Sequence, residues 1–334
     1  MSSSEIRDET VRSDVLRGNP LGDPFERKVL VYLPPDHRAG AARYPVVFLL
    51  AGFGGSGASL LDYEPWDDTI QQMMDHLLDE QRVRPMILVL ADGMTRYGGS
   101  QYINSDGTGR YQDYLIEVLD WVDHTFPTRR SRGSRAIAGK SSGGFGALRM
   151  VMDRPEAFGL VVDHSGDKYF EYAYRPSFPR WHRTLRDTSD FETLLQDPRS
   201  RRPHDQGFRD LLEAAALSAC YSPNASTPLG FDFPFDRETG AVDDSVWERW
   251  RSHDPLVRLA RQSDALKTMR LIFLDCGKQD EFFLDVGMRL FHRELEARGV
   301  DHEYLEHDEG HFGLNYRYAL SLQAISRSLE DSGG

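Results

Sequence analysis

Gly139-Lys140-Ser141-Ser142-Gly143 sets a serine between two glycines at the spacing GxSxG. Small residues on either side allow a sharp strand-to-helix turn, with the serine exposed at its apex in a strained backbone. A serine hydroxyl is a poor nucleophile at neutral pH. Covalent chemistry at Ser141 therefore demands a base within hydrogen-bond reach and a carboxylate that fixes the tautomer of that base. The pattern alone recurs by chance in a chain with 29 glycines, and the competing reading is a glycine-rich turn with an incidental serine. Context favours chemistry. The short apolar run Ser134 to Ala138 precedes the motif, a helical stretch from about Gly143 to Asp153 follows it, and Gly144 and Gly146 let that helix pack closely on its neighbours.

In a nucleophile turn of this kind the acid and then the histidine follow the serine in chain order. Of eleven histidines, His311 stands apart, because Glu309-Gly310-His311-Phe312-Gly313 is a loop between the last strand and the last helix. From there a side chain leans back over the carboxyl edge of a sheet. His307 is the runner-up, but it lies nearer the strand and lacks flanking glycines. The acid belongs after the preceding strand, in Gly277-Lys278-Gln279-Asp280-Glu281. Asp280 fits best. Asp275 falls inside the strand pattern, and Glu281 is expected to open the next helix, where a carboxylate suits the dipole without any catalytic task. An ordinary helix N-cap is the competing reading of Asp280. A tetrahedral intermediate also needs backbone donors, which Ser142 and either Phe53 or Gly52 in Ala51-Gly52-Phe53-Gly54-Gly55 could supply. Lys140 reads as a solvated lysine.

The elements that must position these residues alternate short apolar runs with longer amphipathic ones, the pattern of a parallel sheet covered by helices. Strands are expected at Val29 to Leu33, Pro45 to Leu50, Met86 to Leu90, Ser134 to Ala138, Phe158 to Val162, Arg270 to Cys276 and around His302 to Leu305. Helices are expected over Trp66 to Leu78, Gly109 to Phe126, Gly143 to Asp153, Glu281 to Arg298 and Leu314 to Leu329. The alternation breaks from Lys168 to about His253, a stretch rich in Pro, Arg, Asp and aromatics with only scattered helical pieces, Leu211 to Cys220 among them, that reads as an inserted cap within one α/β domain spanning residues 1–334.

Composition sets outer limits. Asp and Glu outnumber Lys and Arg by 53 to 40, a net charge of -13 that disfavours nucleic acid and anionic membrane as partners. Met1-Ser2-Ser3-Ser4-Glu5 lacks the basic and apolar run of a secretory signal, and no apolar stretch reaches the roughly 20 residues that span a bilayer. The expectation is a cytoplasmic protein. Cys220 and Cys276 are far apart and have no metal-ligand neighbourhood, so both read as reduced thiols.

With these residues in view, the chain resembles the putative-esterase family of α/β-hydrolases, which groups esterase D (S-formylglutathione hydrolase), enterochelin esterases, feruloyl esterases and mycolyltransferases. The resemblance runs from about Arg27 to the last helix and is weakest across the cap. It rests on Leu49-Leu50-Ala51-Gly52-Phe53-Gly54, on Gly139 to Gly144, on Gly277 to Glu281, on Gly310-His311, and on Tyr111-Gln112-Asp113-Tyr114-Leu115. It implies an α/β-hydrolase fold with Ser141 as nucleophile, Asp280 as acid, His311 as base, and Phe53 and Ser142 as oxyanion donors. Ala51 departs from the histidine often found before the first oxyanion glycine, and Lys140 stands where many members have His or Tyr.

The expected function is a serine carboxylic-ester hydrolase that works through an acyl-enzyme and requires no metal or cofactor. The aromatics Tyr169 to Trp181, with Phe53, Phe145 and Phe282 near the site loops, suggest a small or aromatic ester, with Gly52, Phe145 and Phe282 against it. Core packing is the competing use of the same aromatics. Two alternatives stand beside this reading: an acyltransferase or thioesterase with the same triad, and a catalytically silent fold that binds a ligand. Expected partners are a small-molecule ester and no nucleic acid or membrane. Nothing in the chain speaks against a homo-oligomer.

Overall fold

The computed structural model describes residues 3–35, 37, 42–63, 65–198 and 206–330. Its frame is a sheet of strands β1 (Glu5–Arg12), β2 (Glu26–Leu33), β3 (Val46–Leu50), β4 (Ile87–Ala91), β7 (Arg135–Lys140), β8 (Leu160–His164), β9 (Leu271–Gly277) and β10 (Glu303–His307). A separate two-residue hairpin pairs β5 (Asn104–Ser105) with β6 (Gly109–Arg110). The order across the sheet is β1-β2-β4-β3-β7-β8-β9-β10. From β4 to β10 all neighbours are parallel, while β1 and β2 run antiparallel at one edge.

Strand periodicity sorts the apolar side chains into two layers. Val46, Phe48, Leu50, Ile137, Val161 and Ile272 face α2 (Tyr111–Thr125) and α3 (Ser142–Asp153). Val47, Leu49, Ala136, Ala138, Val162 and Phe273 face the opposite way, towards α1 (Ile70–Asp79) and α11 (Tyr318–Ser328). Parallel strands of this kind are buried on both faces, which explains their near-continuous apolar runs.

The expected α/β arrangement is present, with local differences that have physical causes. Strand β1 was not anticipated, because its sequence EIRDETVR carries few apolar residues and pairs only along one edge. Helix α1 starts at Ile70 rather than Trp66, since Thr69 caps it by accepting from the Gln72 N–H, and Trp66 is 96% exposed. Helix α10 (Leu284–Ala297) starts three residues after Glu281, because Phe283 takes a left-handed conformation that the helix cannot include.

The segment 168–253 is more helical than its composition suggests, holding α4 (Phe170–Ala173), α5 (Phe178–Asp187), α6 (Phe191–Gln196), α7 (Gln206–Tyr221) and α8 (Asp244–Arg251). Phe170, Phe178, Trp181, Tyr221 and Trp250 from this segment join the same apolar core as α3 and one face of the sheet. Helix α9 (Pro255–Leu266) follows at once, capped by the buried Asp254, whose carboxylate also accepts from the N–H groups of Tyr169 and Phe170.

Candidate active site

Strand order determines where a site can form. The chain passes from β3 to β4 on one side and returns to β7 on the other, so the loops leaving β3 and β7 diverge and open a crevice at their carboxyl ends. The loop after β3 carries Gly52 and Phe53, and the turn after β7 carries Ser141. The loops after β9 and β10 leave the same edge and carry Asp280 and His311.

Ser141 has φ 57° and ψ -127°, a conformation that costs an L residue about 1–3 kcal/mol. The surrounding packing enforces it. The Ser141 N–H donates to the His164 carbonyl at 2.9 Å, and its own carbonyl accepts the Phe145 N–H, the first bond of α3. A Cβ on Gly139 would lie 2.3 Å from the Gly143 backbone, and one on Gly143 would lie 2.1 Å from the Leu50 carbonyl oxygen. Both glycines are therefore steric requirements of the turn. Apart from Gln81, every non-glycine residue with positive φ among the described residues stands in a loop at this edge: Gln101, Tyr102, Ser141, Ser165, Tyr169 and Phe283.

His311 and Asp280 are both buried, and His311 Nδ1 lies 2.7 Å from Asp280 Oδ2. The other oxygen of Asp280 accepts the Phe282 N–H at 2.9 Å and the Leu284 N–H at 3.4 Å, so the carboxylate also fulfils the capping role considered for it. The two loops are clamped together. Lys278 N–H donates to the His307 carbonyl, Gln279 N–H to the Glu309 carbonyl, and the Gln279 amide to the Asp308 carbonyl. Glu281 does not open the helix. Its carboxylate accepts the His311 backbone N–H at 2.6 Å, a positioning contact that sequence reading missed. Gly310 leaves the room for it, as a Cβ there would lie 2.7 Å from Glu281 Oε1.

Ser141, His311, Ser142, Phe53, Gly52 and Phe282 all line one cleft of about 280 Å³. A Cβ placed on Gly52 would lie 3.3 Å from the Ser141 Cβ and 3.9 Å from its Oγ, so the β3 loop passes directly over the serine. Ser142 is the first residue of α3, where helix N–H groups are unpaired and the dipole favours negative charge. No hydrogen bond joins Ser141 Oγ to His311 Nε2, although both side chains line this cleft.

Three expectations are corrected. Phe145 does not touch the cleft: it is fully buried in α3 and packs on Phe170 and Tyr221, with ring centroids 6.1 Å away in each case. Lys140 is not a solvated lysine. It lines the cleft with its ammonium 5.9 Å from the Phe312 ring, and burial pulls its pKa below the ordinary lysine value. Of the aromatics between Tyr169 and Trp181, only Tyr174 reaches the cleft, whereas Phe170, Phe178 and Trp181 are core.

The competitors for the triad roles are engaged elsewhere. Asp275 is buried, receives Arg317 through two bonds of 2.6 Å, and lies 2.9 Å from His164 Nδ1. Burial alone would raise its carboxyl, but His164 and Arg317 outweigh that and hold its pKa at about 2. His307 sits on β10 with its Nδ1 3.1 Å from Glu309, away from the cleft lining.

Comparison with known proteins agrees with this architecture. The chain is 31% identical over 144 residues to an endo-1,4-beta-xylanase/feruloyl esterase of Xylanibacter ruminicola, a match covering 42% of this chain and 19% of that protein. It is also 31% identical over 140 residues to an esterase of Mycobacterium tuberculosis, covering 41% of this chain and 28% of the relative. The chain thus aligns with less than a third of either relative. Among solved structures it superposes on a ferulic acid esterase with TM-score 0.61 at 19% identity, covering 99% of this chain and all of that one. It superposes on an S-formylglutathione hydrolase of Staphylococcus aureus with TM-score 0.59 at 16% identity, covering 98% of this chain and 100% of the other. These two likenesses show the shared α/β-hydrolase fold. The model of the family described as "Putative esterase" matches residues 24–321, from the start of β2 into α11. With the serine turn, the clamped Asp and His loops and the crevice between β3 and β7 all inside that span, the chain belongs to the Putative esterase family.

Proposed function

We propose that the chain is a serine carboxylic-ester hydrolase in which Ser141 is the nucleophile, His311 the general base and Asp280 the residue that orients it. The observation that carries this reading is the cleft itself: a strained serine at a helix N-terminus and a histidine held by a buried carboxylate line the same 280 Å³ space. Asp280 at Nδ1 keeps the proton on that nitrogen and leaves Nε2 as the acceptor for the Ser141 hydroxyl proton. Attack on the ester carbonyl forms a tetrahedral oxyanion, which the Phe53 and Ser142 N–H groups stabilise. Collapse expels the alcohol, which takes its proton from the His311 imidazolium. Water, deprotonated by His311, then releases the acid from Ser141 and restores the hydroxyl.

Phe53, Phe282 and Phe312 form an apolar mouth around the serine, which suits the scissile ester and its flanking carbons. The segment 168–253, read as a cap, supplies Tyr174, Glu213 and Leu217 to the opposite wall. Feruloyl and formylthioester substrates belong to the similar proteins named above, and both chemistries merit assay here. The test is hydrolysis of p-nitrophenyl acetate together with a panel of aryl esters and thioesters. His311→Ala is expected to lose about 10³-fold or more in kcat/KM. Turnover by that variant within a factor of a few of wild type would remove His311 from the mechanism.

A further inference from the structure

One end of the cleft takes no part in the ester chemistry above. Its wall is built by Gln101, Asp167, Tyr174, Glu213 and Leu217. Asp167 is 6% exposed and Gln101 1%, whereas Phe312 at the mouth is 65% exposed, so this is the closed end. Glu213 and Leu217 lie four residues apart on α7 and present one face of that helix to the space.

The closed end is rich in acceptors and poor in donors. Both hydrogen bonds that reach the Asp167 carboxylate fall on Oδ2, from Tyr174 OH at 2.7 Å and Gln101 Nε2 at 3.1 Å, and none among the described residues reaches Oδ1. The Gln101 amide cannot be reversed, because its oxygen would then face Asp167 Oδ2, so Gln101 Oε1 is also left without a donor. The nearby cations are committed elsewhere. Lys168 binds Asp163 at 2.6 Å and the Gly166 carbonyl at 2.9 Å, and Arg180, whose charge lowers the pKa of Glu213, binds Asp210 at 3.0 Å. Lys140, the one Lys or Arg among the described lining residues, holds its ammonium 5.9 Å from the ring of Phe312 at the mouth. Burial holds both carboxyls above the usual range, Glu213 at about 7, and outweighs the lowering influence of Arg180 and Trp181 on Glu213 and of Tyr174, Gln101, His311 and Lys168 on Asp167.

A group that is cationic, donates in several directions and accepts in none complements such a wall, and an ammonium has those properties. A carboxylate or phosphate would be repelled by it. We propose that the closed end of the cleft is an ammonium subsite, with Asp167 Oδ1 and Glu213 as its acceptors and Gln101 and Tyr174 orienting Asp167. The ester cleaved at Ser141 then carries a protonated amine. Only that last step rests on the hydrolase reading.

The test compares n-hexylammonium with n-hexanol as competitive inhibitors of p-nitrophenyl acetate hydrolysis by the full chain. The ammonium is expected to bind tighter by about tenfold or more, the ratio that charge-assisted hydrogen bonds to buried carboxylates supply. Glu213→Gln, an isosteric change on the least buried of the acceptors, is expected to remove most of that ratio. Because the ratio is taken within each protein, a change in turnover or in folded fraction cancels. An alcohol that inhibits as well as the ammonium, or a hexanoate anion that inhibits better than both, overturns the subsite and leaves the hydrolase reading standing. A ratio unchanged in both Glu213→Gln and Asp167→Asn overturns the placement. Absence of acetate hydrolysis in the wild type is the failure of the hydrolase reading instead. Calorimetric titration with the same two ligands then decides the subsite on its own, tighter ammonium supporting it and equal or weaker ammonium overturning it.

Discussion

Asp280 divides two tasks between its two oxygens, Oδ2 for His311 and Oδ1 for the N–H groups of Phe282 and Leu284. Asp280→Asn keeps an oxygen for the backbone but can turn an amide N–H towards His311, which favours the tautomer that cannot accept the serine proton. The expected result is a folded protein whose kcat for ester hydrolysis falls by about 10⁴-fold, checked by steady-state kinetics beside a melting curve. An unimpaired Asp280→Asn would pass the acid role to another carboxylate, and Glu281, one residue on, would be the first to examine. At this scale the sequence was informative where a residue lay in a short loop between a strand and the helix after it, as Asp280, His311 and Ser141 do. It misled where the facing of a helix mattered. Every residue of α3 from Ser142 to Met152 is buried, so no polar face marked Phe145 as pointing into the core. The role of Glu281 depends on a backbone N–H thirty residues away, and no local pattern announces such a contact.

Among the elements, the turn from β7 to α3 depends on how closely its backbone meets β3. The missing side chain of Gly143 lets α3 approach the Leu50 carbonyl, and a methyl group there would sit 2.1 Å from that oxygen. Gly143→Ala is therefore expected to cost about 3 kcal/mol or more, since neither partner is a flexible side chain. Urea unfolding checks the loss, and the soluble fraction should react poorly with esters because Ser141 no longer holds its φ of 57°. A stable, active Gly143→Ala would mean that the turn has slack the close contacts deny. The inner strands β3, β4, β8 and β9 were legible because burial on both faces makes them near-continuously apolar. Most helices of segment 168–253 were not, α7 being the exception, since α5 is largely polar outside its buried Phe178, Trp181 and Leu185, and Pro, Arg and Asp dominate its surroundings. For the same reason the acidic closed end of the cleft was invisible: Asp167 comes from the loop after β8, Gln101 from the loop after β4, and Glu213 from α7, and only the fold brings them together.

Taken as a whole, the molecule places an ionic knot beneath its site. Asp275 of β9 ties His164 at the end of β8 to Arg317 before α11, while His164 Nε2 lies 3.0 Å from the Ser321 hydroxyl. The backbone carbonyls of His164 and Asp275 accept the N–H groups of Ser141 and Ser165, so the knot and the serine turn share one scaffold. The Asp275 carboxyl, held at about 2 against an ordinary 3.8, contributes about 2 kcal/mol of stability that is present above pH 4. Because the folded-state value is the lower one, this contribution is lost as the pH falls from about 4 towards 2. Asp275→Asn leaves the mostly buried Arg317 without its counter-charge and is expected to lose about 3 kcal/mol or more at neutral pH. Its urea midpoint should also fall less steeply between pH 4 and 2 than that of the wild type. Parallel slopes for the two proteins would place the acid sensitivity elsewhere. No helix among the described residues is long and apolar enough to cross a membrane.

Reaction with a fluorophosphonate followed by peptide mass mapping tests whether Ser141 is a nucleophile activated by His311. One adduct is expected, on the peptide containing Ser141, absent from Ser141→Ala and formed far more slowly in His311→Ala. An adduct that persists in Ser141→Ala at the wild-type rate, or that maps to a different serine, would contradict that role.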